Sequence, residues 1–375
     1  MRDERDERPA VVLMHGRLGA SAGERLVEAA RRAAALDVLA TLAATGRFGR
    51  RLVVTDDPAL VEALAGCAVT IEPSGPQFHF GRRLAALVAA HGLERVLYVG
   101  AGSGALTEPA EWAALADLLA AGEPVVVANN YLSADYVAFA PGSALARIEP
   151  PPTDNDLPWR LAHAAGLPRV TRPRALGGEV DIDTPTDVAL LSLALPLLPP
   201  RLAAVARAAG AAAPALPRAL AALADPEARL LVTGRVSAAA WAQLESATMR
   251  YTRLVSEERG MRASGRLARG EVRSLLGALL ESIGPERFFA LLGELCDVAL
   301  LDTRVLFAHL RLTPGVADRF ASDQLAPAAI ADPAVRAFTA AAAAAPVPVL
   351  LGGHSLVSGG LWLLAHYLRQ QRGAR

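Results

Sequence analysis

Asp181-Ile182-Asp183-Thr184-Pro185-Thr186-Asp187 is the segment best equipped for chemistry. If Val180–Asp183 runs as a strand, its two-residue period puts Asp181 and Asp183 on one face. Two carboxylates together are hard oxygen donors of the kind Mg2+ or Mn2+ takes beside phosphate oxygens; the plain alternative is a solvated strand end. Thr184 reads as a helix N-cap, Pro185 as the first helical residue and Asp187 as the reciprocal member of a capping box, which makes Asp187 structural. Near the N-terminus, His15-Gly16-Arg17-Leu18-Gly19-Ala20-Ser21-Ala22-Gly23-Glu24-Arg25 joins an apolar run to an amphipathic one. Gly16 and Gly19 would let the backbone approach a phosphate at a helix start, with Arg17 and Arg25 as guanidinium partners, unless this is an ordinary strand-to-helix turn.

Other candidates are weaker. Asn129-Asn130-Tyr131-Leu132-Ser133-Ala134-Asp135 follows an apolar run; Asp135 could add a charge, and the Asn129 and Asn130 amides could read a base or ribose. The same residues are common turn formers. Asp154-Asn155-Asp156 reads as helix capping before it reads as acceptor binding. From Arg250 to Arg273 seven arginines face three glutamates, and Arg259 and Arg262 sit in a loop-like stretch suited to phosphate or to a solvated surface. Few aromatics interleave with them, which leaves nucleic-acid stacking with little support. Gly353-His354-Ser355-Leu356 approaches a hydrolase nucleophile elbow, but Val357 replaces the second glycine and no acid follows Ser355. A second anion cradle, or close strand–helix packing, suits that loop better. Asp302 and His309 could take acid–base roles, though nothing in the sequence pairs them.

These residues need a scaffold that brings strand ends together. Val11–Met14, Leu52–Thr55, Arg95–Val99 and Pro124–Ala128 read as short buried strands, with helices at Glu24–Ala44, Pro58–Ala65, Gly81–Ala90, Pro109–Ala121 and Pro185–Ala194. The pattern predicts an α/β fold, a three-layer α/β/α unit with a mostly parallel sheet over residues 1–197. An Ala/Pro-rich connector, either a helical hairpin or a semi-rigid spacer, covers 198–228. A second α/β domain over 229–375 has strands at Arg229–Thr233, Tyr251–Ser256, Val298–Asp302 and Val347–Leu351.

Composition narrows the chemistry. The 38 basic and 38 acidic side chains balance, which argues against a chain-wide surface for nucleic acid or anionic membrane. Every basic side chain is arginine, so a lysine-ended phosphate loop and Schiff-base or pyridoxal-phosphate chemistry are excluded in their usual forms. Two cysteines without metal-ligand spacing exclude a disulfide scaffold and a zinc finger and suit a cytoplasmic setting. The charged run Arg2–Arg8 and the short strand behind it do not read as a signal segment, and no stretch reads as a membrane span.

Taken in order, the Gly-rich turn, Val53-Val54-Thr55-Asp56-Asp57, Leu97-Tyr98-Val99-Gly100 with Leu106-Thr107, and the Asp-x-Asp-Thr-Pro-x-Asp segment resemble GT-A-type nucleotidyltransferases over about residues 10–195. That group includes the molybdenum-cofactor nucleotidyltransferases and phospholactate guanylyltransferase. The resemblance implies a GT-A/Rossmann-like fold and nucleotide transfer from an NTP to a phosphorylated small-molecule acceptor with Mg2+. It places Gly16, Arg17 and Gly19 by the triphosphate and Asp183, with Asp181, on the metal. Two departures stand out. Gly100-Ala101-Gly102-Ser103-Gly104 has Gly102 where the family carries a metal-binding Asp, and the lysine after the glycine-rich turn is missing. A glycosyltransferase using a nucleotide-sugar, or a non-catalytic nucleotide-binding module, are the alternatives.

Overall fold

The computed structural model describes residues 8–75, 77–248 and 250–373; all but the last residue of the charged run 2–8 lies outside them. The chain forms two compact units. Unit 1 comprises Met1–Arg17, Arg31–Asp181 and Pro199–Leu202; unit 2 comprises Leu18–Ala30, Ile182–Leu198 and Ala203–Arg375. Both are α/β.

Unit 1 is built on a six-stranded sheet in the order β3-β2-β1-β4-β6-β5. Its strands are β1 (Ala10–His15), β2 (Arg51–Thr55), β3 (Thr70–Glu72), β4 (Val96–Gly100), β5 (Val125–Ala128) and β6 (Tyr136–Ala140). Strands β1 to β4 are parallel, and β6 runs antiparallel between β4 and β5. Apolar β-branched runs let both sheet faces be covered. Val12 and Met14 of β1 pack with Leu84, Leu87 and Leu161 on one face. Val11 packs with Val38, Leu42 and Leu115 on the other, and Leu13 with Leu39 and Leu60.

Unit 2 carries a four-stranded parallel sheet, ordered β10-β9-β7-β8, from β7 (Leu230–Gly234), β8 (Thr252–Ser256), β9 (Val298–Asp302) and β10 (Val349–Gly352). Leu231, Ala299, Leu301, Val349 and Leu351 bury one face under Phe288, Phe289 and Phe338. The helix Leu275–Leu295 is broken at Gly284, whose φ of 75° is left-handed, just before Pro285.

The Ala/Pro-rich stretch after residue 198 takes the helical one of its two expected forms, at Pro200–Ala212 and Ala215–Ala222. Leu202 N and the Arg201 guanidinium bond the buried Asp37 carboxylate, both at 3.0 Å. The expected strand Val180–Asp183 is reduced to one bridge, Asp181 with Ser103. The physical reason is local: the Asp187 carboxylate takes the Asp183 and Thr184 amides, at 3.0 and 2.7 Å, that a strand partner would need. Strand β6, buried throughout, follows directly on the loop read as turn formers.

Candidate functional site

In unit 1 the strand order reverses between β1 and β4, and open α/β sheets bind ligands outside the carboxyl ends at such a point. A cavity of about 620 Å³ lies there. The carboxyl end of β1 contributes His15, Gly16 and Arg17; β2 contributes Val54 and Asp56; β4 contributes Tyr98. Phe78, Phe80 and Asp154 complete the working wall. The Phe80 and Tyr98 rings meet edge to face at 4.9 Å, whereas Phe78 is 51% exposed, an apolar ring open to a planar partner. A Cβ at Gly16 would meet no atom of the described residues within 4 Å.

His15, buried at the end of β1, is held by a relay. Its Nε2 lies 3.2 Å from Asp57 Oδ2, and Arg32 Nε donates to the same oxygen at 2.6 Å. Asp57 Oδ1 caps the following helix through Ala59 N. Burial raises the Asp57 pKa, but the Arg32 hydrogen bond and charge outweigh it and keep the carboxyl below its ordinary value. Burial also lowers the His15 pKa, so the ring is neutral at pH 7. An ionised carboxylate only accepts; Nε2 therefore carries the proton and Nδ1 keeps a lone pair, buried without a partner among the described residues.

Acidity concentrates at the end of β4. Tyr98 donates its phenol hydrogen to Asp154 Oδ2 at 2.7 Å. Burial, and then the charges of Asp154, Asp135 and Asp181, push that phenol well above its ordinary range. Gly100 sits at the convergence: a Cβ there would lie 3.2 Å from Asp135 O and 3.7 Å from Asp154 Oδ2. Gly102 is buried in the turn that follows. Ser103, also buried, has its hydroxyl 2.9 Å from Gly100 O and 3.0 Å from Asp135 O, and so closes the turn. Among the described residues no group of three or more His, Cys, Asp or Glu is arranged to hold a metal ion. A Mg2+ ion that keeps its waters and takes phosphate oxygens needs only one or two carboxylates, and in kind the hard oxygens of Asp154 and Asp181 fit it.

The remaining expected site residues are placed differently. Gly19 belongs to unit 2, and a Cβ there would fall 2.4 Å from the Glu24 carboxylate. That carboxylate accepts Ser21 N at 3.0 Å while Glu28 accepts Leu18 N at 3.0 Å, so the chain's own acids occupy the turn read as a phosphate cradle. Arg25 bonds the Ala20 carbonyl. Asn129 is bonded within the fold: its amide nitrogen donates to Asp135 Oδ2 and Gly178 O, and its oxygen accepts Asp135 N and Tyr136 N. Asn130 forms an Asx turn to Leu132 N. Asp156 occupies the N-cap position of Leu157–His163 without capping it and instead pairs with Arg160 at 2.7 Å. Asp183 is exposed and belongs to unit 2, where its charge falls on Asp187 and His354, whereas Asp181 belongs to unit 1. Asp181 and Asp183 thus sit in different surroundings. Arg259 and Arg262 are exposed in unit 2. His309 accepts Ser274 N, a structural use of its ring.

No family model matches the sequence, and no curated protein does. Solved structures similar to it include a nucleotide-diphospho-sugar transferase, so described, from Desulfovibrio desulfuricans G20 (16% identity, 54% of this chain, 95% of that one, TM-score 0.42). A cytidylyltransferase from Leptospira borgpetersenii (11%, 54%, 93%, 0.36) and a CMP:2-keto-3-deoxy-manno-octonic acid synthetase complexed with CTP (11%, 44%, 92%, 0.30) are others. Similarities this distant assign neither a ligand nor a residue role to this chain. Among the described residues, no helix is long and apolar enough to cross a membrane.

Proposed function

We propose that unit 1 is a nucleotide-binding, nucleotidyltransferase-like unit whose NTP occupies the cavity at the ends of β1, β2 and β4. The observation that carries this reading is the combination in that cavity of an open ring, Phe78, a cation, Arg17, and a carboxylate, Asp154, at the point where strand order reverses. Phe78 stacks on the base and Arg17 meets phosphate oxygens. Asp154, oriented by Tyr98, would hold Mg2+ together with Asp181, and the ion would neutralise charge developing on the phosphates. The phosphorylated acceptor's oxygen attacks the α-phosphorus; the bond to the bridging oxygen breaks, and pyrophosphate leaves with that electron pair. Calorimetric titration with each NTP, with and without Mg2+, tests the binding, and pyrophosphate release tests the transfer. Metal-dependent binding that Phe78→Ala weakens by about tenfold is expected, and failure of every NTP to bind would overturn the reading. Gly102 favours a second reading, since a residue without a carboxylate in the turn after β4 suits a unit that binds nucleotide without turning it over; binding with no pyrophosphate release would select it.

A further inference from the structure

Unit 2 has its own switch point. Its sheet runs β10-β9-β7-β8, so the chain leaves β7 toward β8 on one side and returns to β9 on the other. Two guanidiniums are fixed at the carboxyl ends of these strands. Arg235, just after β7, is forked on Asp302 at 2.6 and 3.1 Å; Arg304, just after β9, is forked on Asp323 at 2.8 and 2.5 Å. Both aspartate side chains are wholly buried and both arginine side chains keep 12% exposure. The rim is closely built around them. Gly234, at φ 116°, has no room for a Cβ against Asp302, and the Gly353 Cα approaches Arg304 so that a Cβ would lie 3.8 Å from Nε.

The forks leave donors over. Arg235 Nη1 and Arg304 Nε make no hydrogen bond among the described residues, and neither does the His354 ring beside them. The arginine-rich loop over residues 250–273 supplies the contrast. Arg266 is forked on Glu258 and Arg269 on Glu271, while Arg250, Arg253 and Arg273 are tied to backbone carbonyls. Arg259 and Arg262 have neither ion pair nor hydrogen bond among the described residues, and their charges are felt by groups at the rim. The Arg259 charge falls on His354, and those of Arg304 and Arg262 fall on Arg319, whose Nε is buried with no partner. Burial, then Arg235, hold the His354 pKa down to about 4, so at neutral pH its ring is an uncharged donor and acceptor. Around the rim stand five guanidiniums, against buried Asp302 and Asp323, exposed Asp183, and Asp187, which is only part-ionised near pH 7. Arg235 and Arg304 are paired, but Arg259, Arg262 and Arg319 have no ion pair among the described residues, and like charges left so are costly to gather without a counter-anion.

We propose that the carboxyl rim of the unit 2 sheet is a second ligand site, for a phosphate group, held by Arg262, Arg319 and the spare donors of Arg235 and Arg304 with His354 at its edge. Fixed planar forks and a positive surplus suit a dianionic tetrahedral oxyanion. Inorganic phosphate and a phosphomonoester share that chemistry. The site stands independently of the nucleotide reading of unit 1.

The test titrates the full-length protein at constant ionic strength with inorganic phosphate and, in a parallel arm, with phenyl phosphate, reading heat and melting temperature. Wild-type protein is expected to bind saturably. Tighter binding of phenyl phosphate marks the natural ligand as an ester, and equal binding marks it as free phosphate. R262A/R319A is expected to lose at least about tenfold in affinity and the ligand-induced rise in melting temperature. Without ligand its melting temperature should be unchanged or raised, because like charges have been removed. R287A, on the exposed surface, should match wild type. Absence of saturable binding by wild-type protein, or equal phosphate stabilisation of R262A/R319A and wild type, would overturn the proposal.

Discussion

Replacing Asp187 by Asn should remove a pH dependence of stability that the wild-type chain carries in an unusual direction. Asp187 is wholly inside unit 2. One of its oxygens, Oδ2, accepts from Asp183 N, Thr184 N, Thr184 Oγ1 and Ser355 Oγ, at 2.6 to 3.0 Å, while Oδ1 is buried with no partner. Burial raises its pKa from 3.8 to about 7; the Ser355 hydrogen bond works against burial and the Asp183 charge works with it. Between these values the folded chain holds a proton that the unfolded chain has released. The Asp187 contribution to stability therefore falls as pH rises from about 4 to about 7, the reverse of an aspartate held by an ion pair. The full displacement corresponds to roughly 4 kcal/mol. Asparagine keeps an acceptor for the four donors and puts its NH2 where the proton-bearing oxygen lies, so D187N should lose this falling contribution and keep the rising one from His354, whose ring is held down to about 4 from 6.5. Urea unfolding of both proteins at half-unit steps from pH 4.5 to 8 measures the slopes. A difference between the wild-type and D187N stabilities that stays level or rises with pH over this window would refute the reasoning.

Gly234→Ala should be among the most damaging single-methyl additions, since its φ of 116° disfavours any side chain and the new Cβ would lie 2.3 Å from the Asp302 Cβ. A loss of about 3 kcal/mol or more is expected by denaturant unfolding, whereas Gly16→Ala, which meets no protein atom, should cost under about 1 kcal/mol. Tyr98→Phe removes the donor that orients Asp154 and should weaken Mg2+-dependent nucleotide binding about tenfold while costing the fold only about 1–2 kcal/mol; calorimetry and a thermal melt separate the two effects. Asp57→Ala leaves His15 and Arg32 without their carboxylate and the helix Pro58–Ala63 without its cap, and should destabilise by about 2–4 kcal/mol in urea.

Local signals in the sequence are matched by local structure. The apolar runs ending at His15, Thr55 and Gly100 are strands, because brief β-branched segments bury well on both faces of a sheet. The Thr184–Asp187 capping box is present with both reciprocal bonds. What stayed hidden depends on partners distant in the chain. Asp57 reaches His15 across 42 residues, and Tyr98 reaches Asp154 across 56. Neither pairing leaves a spacing to read, so Asp154 looked like a cap and His15 like the first residue of the glycine-rich turn. Glycines at 16 and 19 look alike in sequence, yet one borders open space and the other is filled by Glu24, a difference that only the third dimension reveals. The carboxylates at 181 and 183 looked like a pair because a strand was assumed, and Asp187 removes the amides that such a strand requires.

The central claim, that a nucleotide sits at the ends of β1, β2 and β4, is met most directly by photolabelling the full-length protein with azido-purine and azido-pyrimidine nucleotides in Mg2+, followed by peptide mapping. Label that saturates, is displaced by the unmodified nucleotide and falls on the peptides carrying Phe78 or Asp154 is the predicted result. Displaceable label confined to peptides outside that cavity would contradict it.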